Sequence, residues 1–259
     1  MLTQQDIYAA IEQEGFSGKT LEMLDNYIND IQYGRTNLAR FNTAEHGGLC
    51  TAGSVLIGAY AVCDYARRRL EASADASASA GKPANWEIDA AQEKLVQQWA
   101  EAKQLWFPRS DQHLNLSYGP RIAKGAEAIV YYKAGDHSVI KERTSIYATL
   151  GRALEAIVLH NTLFPETQMK VIGFTRDADE LFRVILIQPY VGCERLATKE
   201  EIDEMVAAKD FKDNWSGEGV NYVGERLYLE DMHPANVFID VQTGKPTCID
   251  CIVKFIARE

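Results

Sequence analysis

The sequence predicts a mixed α+β protein in which a helical N-terminal region precedes a strand-rich part. Apolar side chains recur at three- and four-residue steps through most of residues 3–105. From residue 124 the pattern changes to short β-prone runs separated by turn residues. Between these regions, residues 72–84 read ASADASASAGKPA, a stretch of small and polar residues that cannot bury a core.

Residues 3–14 open on Thr3 as a cap and stop at Gly15, which predicts a short helix. Residues 17–33 place Leu21, Leu24, Tyr27, Ile28 and Ile31 at helical spacing, with Gly34 as the stop. Residues 35–48 are polar and irregular, and His46-Gly47-Gly48 within them reads as a helix-entry loop. A long helix follows over 49–70 on Val55, Leu56, Ala59, Tyr60 and Cys63, with Arg67-Arg68-Arg69 as its solvated end. The 72–84 stretch then marks a boundary between a helical region, 1–85, and a second domain, 86–259. The second domain opens on one more helix, 86–105, with Trp86, Ala90, Leu95 and Trp99 near one face.

The β-prone segments begin with KGAEAIVYY, residues 124–132, and SVIKE, residues 138–142. The turn Ala134-Gly135-Asp136 between them predicts an antiparallel hairpin. Residues 147–164 form an apolar helix with a stripe of Leu150, Leu154, Ile157, Val158 and Leu163, and Glu155 sits beside that stripe. An acid in such surroundings calls for a cation, and Lys141 is the natural candidate. Two strands follow, 169–174 and 181–187, around the polar turn 176–179, and the second runs into Gln188-Pro189-Tyr190. Thr198 and Glu201 form a capping box at the start of TKEEIDEMVAAK. Finally, residues 227–252 read as a hairpin whose second strand is the run 247–252, with Gly244 in the turn. Asp231, Asn236 and Asp250 stand at its ends or in its strands.

A net charge of −10 argues against nucleic acid as a partner, since a phosphate backbone is bound by clustered Lys and Arg. The excess is even along the chain, with 9 basic and 14 acidic side chains in residues 1–104 and 18 and 23 in 105–259. No apolar run is long enough to span a membrane. The opening MLTQQDIYAAIEQEG has acids where a signal peptide has basic and then apolar residues, which leads us to expect a cytoplasmic protein. Five cysteines do not make a disulfide framework in 259 residues. Cys248 and Cys251 form a C-x-x-C, but on one strand their thiols point to opposite faces, so the pair reads as core filling.

Asp231, a four-residue gap, Asn236, a hairpin and then Asp250 between Ile249 and Cys251 resemble the catalytic centre of protein kinases. The order Asp-x-His-Pro-x-Asn resembles that of aminoglycoside-type and other atypical kinases. Over residues 90–255 the chain looks like the kinase-like domain found inside large polyvalent proteins of phages and conjugative mobile elements. The residues behind the resemblance are EKLVQQWAEAKQLW, GAEAIVYY, LHNTLFPET, VIGF, ILIQPYV, ATKEEIDEM and DMHPANVFID.

The resemblance implies a compact protein-kinase-like fold, with a β-rich N-lobe carrying one αC-like helix and a reduced C-lobe, and it implies ATP and Mg²⁺. Gly125 falls in the phosphate flap, and Lys141, oriented by Glu155, on the α- and β-phosphates. The carbonyl of Gln188 and the N–H of Tyr190 fall on the adenine edge, Asn236 and Asp250 on Mg²⁺, and Asp231 on the acceptor hydroxyl. His233 is expected to brace the loop. The chain departs from the pattern in having one flap glycine where the motif has three, and Asp-Cys-Ile where protein kinases have Asp-Phe-Gly. Only nine residues follow Asp250, too few for an activation segment and a large helical lobe to hold a protein acceptor, so either the N-terminal helices stand in for that lobe or the acceptor is a small molecule or the chain itself. A kinase-like module that binds nucleotide or a partner without turnover is the alternative.

Overall fold

Helix α1, Gln4–Glu14, begins with reciprocal bonds between Thr3 and Asp6: the Asp6 carboxylate accepts from the Thr3 N–H at 2.8 Å, and Thr3 Oγ1 accepts from the Asp6 N–H at 3.2 Å. Helix α2, Gly18–Gln32, is capped by Ser17 and buries Leu24, Tyr27, Ile28 and Ile31, the face its spacing predicts. Burial of each such aliphatic side chain contributes about 1.5–3 kcal/mol relative to exposure. In this computed structural model the described residues are 2–41, 49, 53–76, 81–107, 118–144, 149–214 and 221–256. His46-Gly47-Gly48, Cys50 and residues 77–80 lie outside them.

The chain divides into two units, Met1–Leu154 with Lys170–Ile187, and Glu155–Met169 with Gln188–Glu259. In the first, α1 packs on α2, α2 on α3 (Ser54–Ala76), and α3 on both α4 (Asn85–Ala102) and the strand Lys170–Arg176. Every residue of α3 from Leu56 to Ala66 is buried, the mark of a helix covered all round. At Gly58 a Cβ would stand 2.7 Å from the Trp99 ring and 2.9 Å from Ile28 Cδ1, so only glycine permits this crossing. The arginine run lies inside α3 and not at its end. Arg67 and Arg68 bond the buried Asp64 carboxylate at 2.6 and 2.8 Å, and Tyr8 and Gln4 of α1 add two bonds at 2.8 Å. Burial raises the Asp64 pKa, but the bonds from Arg67 and Tyr8 outweigh it and hold the carboxyl below its ordinary range.

The same unit holds a five-stranded sheet in the order β1-β2-β3-β5-β4. Its strands are β1 Arg121–Lys124, β2 Ala128–Tyr131, β3 Ser138–Arg143, β4 Lys170–Arg176 and β5 Phe182–Pro189. β2 and β3 pair antiparallel as expected, and Gly135 in their turn has φ +91°. β1 has no counterpart in the sequence reading, because RIAK is exposed along its whole length and carries no alternation. Helix α5, Leu150–Leu163, enters between β3 and β4 in the chain. Its first N–H groups are taken by α4: Leu150 donates to Asp89 at 2.7 Å and Gly151 to Gln92 Oε1 at 2.9 Å.

The β4–β5 turn is closed by Asp177, which is 7% exposed. Its Oδ1 accepts the N–H groups of Asp179 and Leu181, and its Oδ2 takes Arg183 Nη2 at 2.7 Å and Nε at 3.0 Å. Burial acts to raise the Asp177 pKa, but the Arg183 guanidinium and the two N–H groups bring it below the ordinary carboxylate range. A depressed folded pKa means the stabilisation is present above the unfolded value, about 3.9, and fades as pH falls through the folded one. Asp177→Asn is expected to lower unfolding free energy by about 3 kcal/mol at neutral pH and to flatten the acid limb of the stability curve. Urea denaturation at a series of pH values checks both.

The second unit contains two antiparallel sheets, β11-β10-β6 and β12-β9-β8-β7. Its strands are β6 Cys193–Leu196, β7 Lys212–Asp213, β8 Tyr222–Val223, β9 Leu227–Glu230, β10 Val237–Asp240, β11 Pro246–Cys248 and β12 Ile252–Phe255. Helix α6, Lys199–Ala207, starts at the predicted Thr198–Glu201 capping box. The run 247–252 is not one strand. β11 ends at Cys248 because it pairs with β10, whereas β12 pairs with β9, so the chain turns over Ile249–Cys251 to change ladders. Asp250 therefore sits in a loop and not in a strand. Among the described residues, no helix is long and apolar enough to cross a membrane.

Candidate functional site

Two ladders of the second unit bring three of the predicted site residues to one place. In the first, Glu230 pairs with Ile252, so Asp231 and Asp250 both lie just beyond the same end of β9–β12. In the second, Val237 pairs with Cys248, and the Ile249 N–H donates to Asn236 O at 2.9 Å, so Asn236 and Asp250 flank the same end of β10–β11. Residues far apart in sequence thus meet through register, which a local reading cannot supply.

The loop between β9 and β10 is tightly specified. Asp231 has φ +63°, a left-handed conformation that costs a non-glycine residue about 1 kcal/mol and that Asp and Asn tolerate best. The Asn236 amide nitrogen donates to the Asp231 backbone oxygen at 3.0 Å and to its Oδ2 at 2.9 Å. His233 Nδ1 accepts the Ala235 N–H at 3.1 Å and so caps the short 3-10 turn Pro234–Asn236. That places the proton of a neutral ring on Nε2, which faces Asp231 Oδ1 at 3.2 Å. One carboxylate oxygen is thus turned to His233 and the other to Asn236. The carboxylate stays 53% exposed. His233 braces the loop, as the sequence suggested.

Asp250 is half-buried, and its backbone oxygen accepts from Cys248 Sγ at 3.3 Å. Gln188 stands behind this loop. Its side chain, 1% exposed, donates to Ile249 O at 2.9 Å and to Thr167 O at 2.8 Å. Sequence reasoning considered only the backbone of Gln188, and the side-chain brace was the part it missed. Tyr190, two residues on, is exposed. Glu155 belongs to the second unit as well and is buried on α5 at 3% exposure.

Lys141 and Gly125 lie in the first unit. Lys141 is 5% exposed on β3, opposite Val130 of β2. Its neighbour Glu142, fully buried, takes the opposite strand face and approaches the Tyr131 hydroxyl at 3.4 Å. Nothing in the sequence singles out this acid, which ends a short β-prone run. Burial, and then the charge of Glu142, raise the Tyr118 pKa. Gly125 closes the β1–β2 turn, where its N–H donates to Ala128 O at 2.8 Å.

The donor set at the loop ends consists of hard oxygens. With the Asn236 amide nitrogen committed to Asp231, its Oδ1 is the atom it offers elsewhere, and Asp250 offers a carboxylate. An amide oxygen and a carboxylate suit Mg²⁺, which takes one or two protein oxygens and keeps the rest of its shell for water and phosphate. A model of the family described as serine/threonine/tyrosine kinase found in polyvalent proteins matches residues 89–257. No curated protein matches the chain.

Proposed function

Because the chain belongs to the serine/threonine/tyrosine kinases found in polyvalent proteins, we propose that it is an ATP- and Mg²⁺-dependent phosphotransferase acting on a hydroxyl group. The observation that carries this reading is the Asp231–His233–Asn236 loop, with Asp250 held at the ends of the same two ladders. The five-stranded sheet, with α5 between β3 and β4, supports a β-rich lobe with an αC-like helix. The second unit's short sheets and single complete helix among the described residues support a reduced C-lobe. The domain boundary near residue 85 is part of the same reading.

In this mechanism Asp231 accepts the proton of the acceptor hydroxyl as its oxygen bonds the γ-phosphorus and the bond from that phosphorus to the β,γ-bridging oxygen breaks, with ADP as the leaving group. His233 and Asn236 fix the carboxylate's orientation, so little rearrangement is needed at the moment of transfer. Asn236 Oδ1 and the Asp250 carboxylate would hold Mg²⁺, which when bound neutralises charge on the phosphate oxygens. Lys141 binds the α- and β-phosphates, and Glu155 orients it. The backbone carbonyl of Gln188 and the N–H of Tyr190 bond the adenine edge. Gly125 lets the flap backbone approach the phosphates.

Incubation with γ-labelled ATP and Mg²⁺ tests the reading. Label is expected on the chain itself, on an added protein or small hydroxyl acceptor, or in released phosphate. If none of these takes label although nucleotide binds, the chain is a binding module and the catalytic reading fails.

A further inference from the structure

We propose that His160, Cys248 and Cys251 form a structural site for one thiophilic metal ion of the zinc class. One donor atom from each residue lies within 4.8 Å of the other two, and all three residues are buried. The sequence reading set the C-x-x-C aside because two thiols on one strand diverge. The break after Cys248 removes that objection, since the turn over Ile249–Cys251 gathers both sulphurs beside His160 of α5.

The imidazole has the orientation a metal ligand needs. Its Nε2 lies 3.3 Å from the backbone oxygen of Thr167 and 3.4 Å from Thr167 Oγ1. The Thr167 hydroxyl donates to Cys248 O at 2.6 Å, so toward the ring Thr167 presents acceptors. Nε2 therefore carries the proton, and the Nδ1 lone pair points at Cys251 Sγ, 3.4 Å away. Metal-binding histidines are held this way, with the outer N–H on a carbonyl and the inner nitrogen on the ion. In a tetrahedral site with bonds of about 2.0 Å to nitrogen and 2.3 Å to sulphur, donors stand roughly 3.5–3.8 Å apart. The Nδ1–Sγ separation of 3.4 Å is close to that spacing, and all three donors lie within 4.8 Å of one another. A fourth soft donor is at hand in the fully buried Met232, whose Sδ is 3.8 Å from Cys248 Sγ.

Charge balance suits a dry pocket. Without metal each thiol proton has an acceptor, His160 Nδ1 for Cys251 and the Asp250 backbone oxygen for Cys248. A divalent ion replaces both protons, and with two thiolates and a neutral imidazole the assembly carries no net charge. Two protons leave for each ion bound. The ion would tie α5 to both ends of the turn that carries Asp250, and the inference stands whether or not the chain transfers phosphate.

The test titrates the fully reduced full-length chain with Co²⁺ and then with Zn²⁺. One equivalent of cobalt is expected to give thiolate-to-cobalt charge-transfer absorption and the intense visible bands of a tetrahedral centre. Zinc is expected to displace it, and zinc binding to the metal-free chain is expected to release two protons per ion, read with an indicator dye. Cys251→Ser is expected to lose most of the charge-transfer intensity, while Cys193→Ser, at an exposed cysteine, is expected to keep it. Absence of the charge-transfer band in the wild type overturns the proposal, as does its persistence in a folded Cys251→Ser. If that variant does not fold, the wild-type spectrum and proton count decide alone.

Discussion

Asp231→Asn is expected to lower phosphoryl transfer by about 10²–10⁴-fold, the usual contribution of a positioned general base, with fold and nucleotide binding retained. The choice of Asn follows from the loop. The residue has φ +63°, and Asn adopts that conformation as readily as Asp, so the substitution adds no backbone strain. The amide keeps an oxygen for Asn236 and a group of the same size beside His233, but it cannot take up a proton. Label transfer from γ-labelled ATP measures the loss, and the melting temperature with nucleotide shows that the site still binds. Undiminished transfer would remove Asp231 from its assigned role.

Lys141→Met is expected to lower turnover by about 10²–10³-fold, the scale of losing one electrostatic contact to a reacting oxyanion, and to weaken nucleotide binding as well. Met keeps most of the aliphatic stem, which matters for a side chain 5% exposed within a sheet. The ion pair proposed with Glu155, itself 3% exposed, adds a second readout. In the proposed pair Lys141→Met removes the positive partner alone, whereas the double variant with Glu155→Gln removes both charges. A double-mutant cycle of unfolding free energies is expected to give a coupling of about 1–3 kcal/mol. A coupling near zero would mean that Lys141 takes its orientation from a group other than Glu155.

The helices were legible where burial is one-sided. Leu24, Tyr27, Ile28 and Ile31 of α2 recur at helical spacing because only that face packs. The strands β6 and β7 carried no signal, since all their residues are exposed, and β8 is only two residues long. What failed at 247–252 was pairing. A run of β-prone residues does not say that its first half joins β10 and its second half β9, because the partners are set by long-range register.

The site divides the same way. The order of Asp231, Asn236 and Asp250 is written in the chain and led to the family. The positive φ of Asp231, the side-chain brace from Gln188 and the meeting of His160 with two cysteines all depend on contacts between distant segments. The two cysteines of the C-x-x-C are buried as core filling requires, but the single strand on which their geometry was judged is broken after Cys248.

Thermal unfolding with and without Mg·ATP, on the wild type and on Asp250→Asn, tests the central claim most directly. Both proteins are first saturated with zinc, so that binding at the cysteine cluster does not enter the comparison. A ligand that binds only the folded state stabilises it by about 2.7 kcal/mol at a hundred times its Kd. The account predicts a rise in melting temperature for the wild type that requires Mg²⁺ and disappears in Asp250→Asn. No rise at millimolar nucleotide, or an equal rise in both proteins, would contradict it.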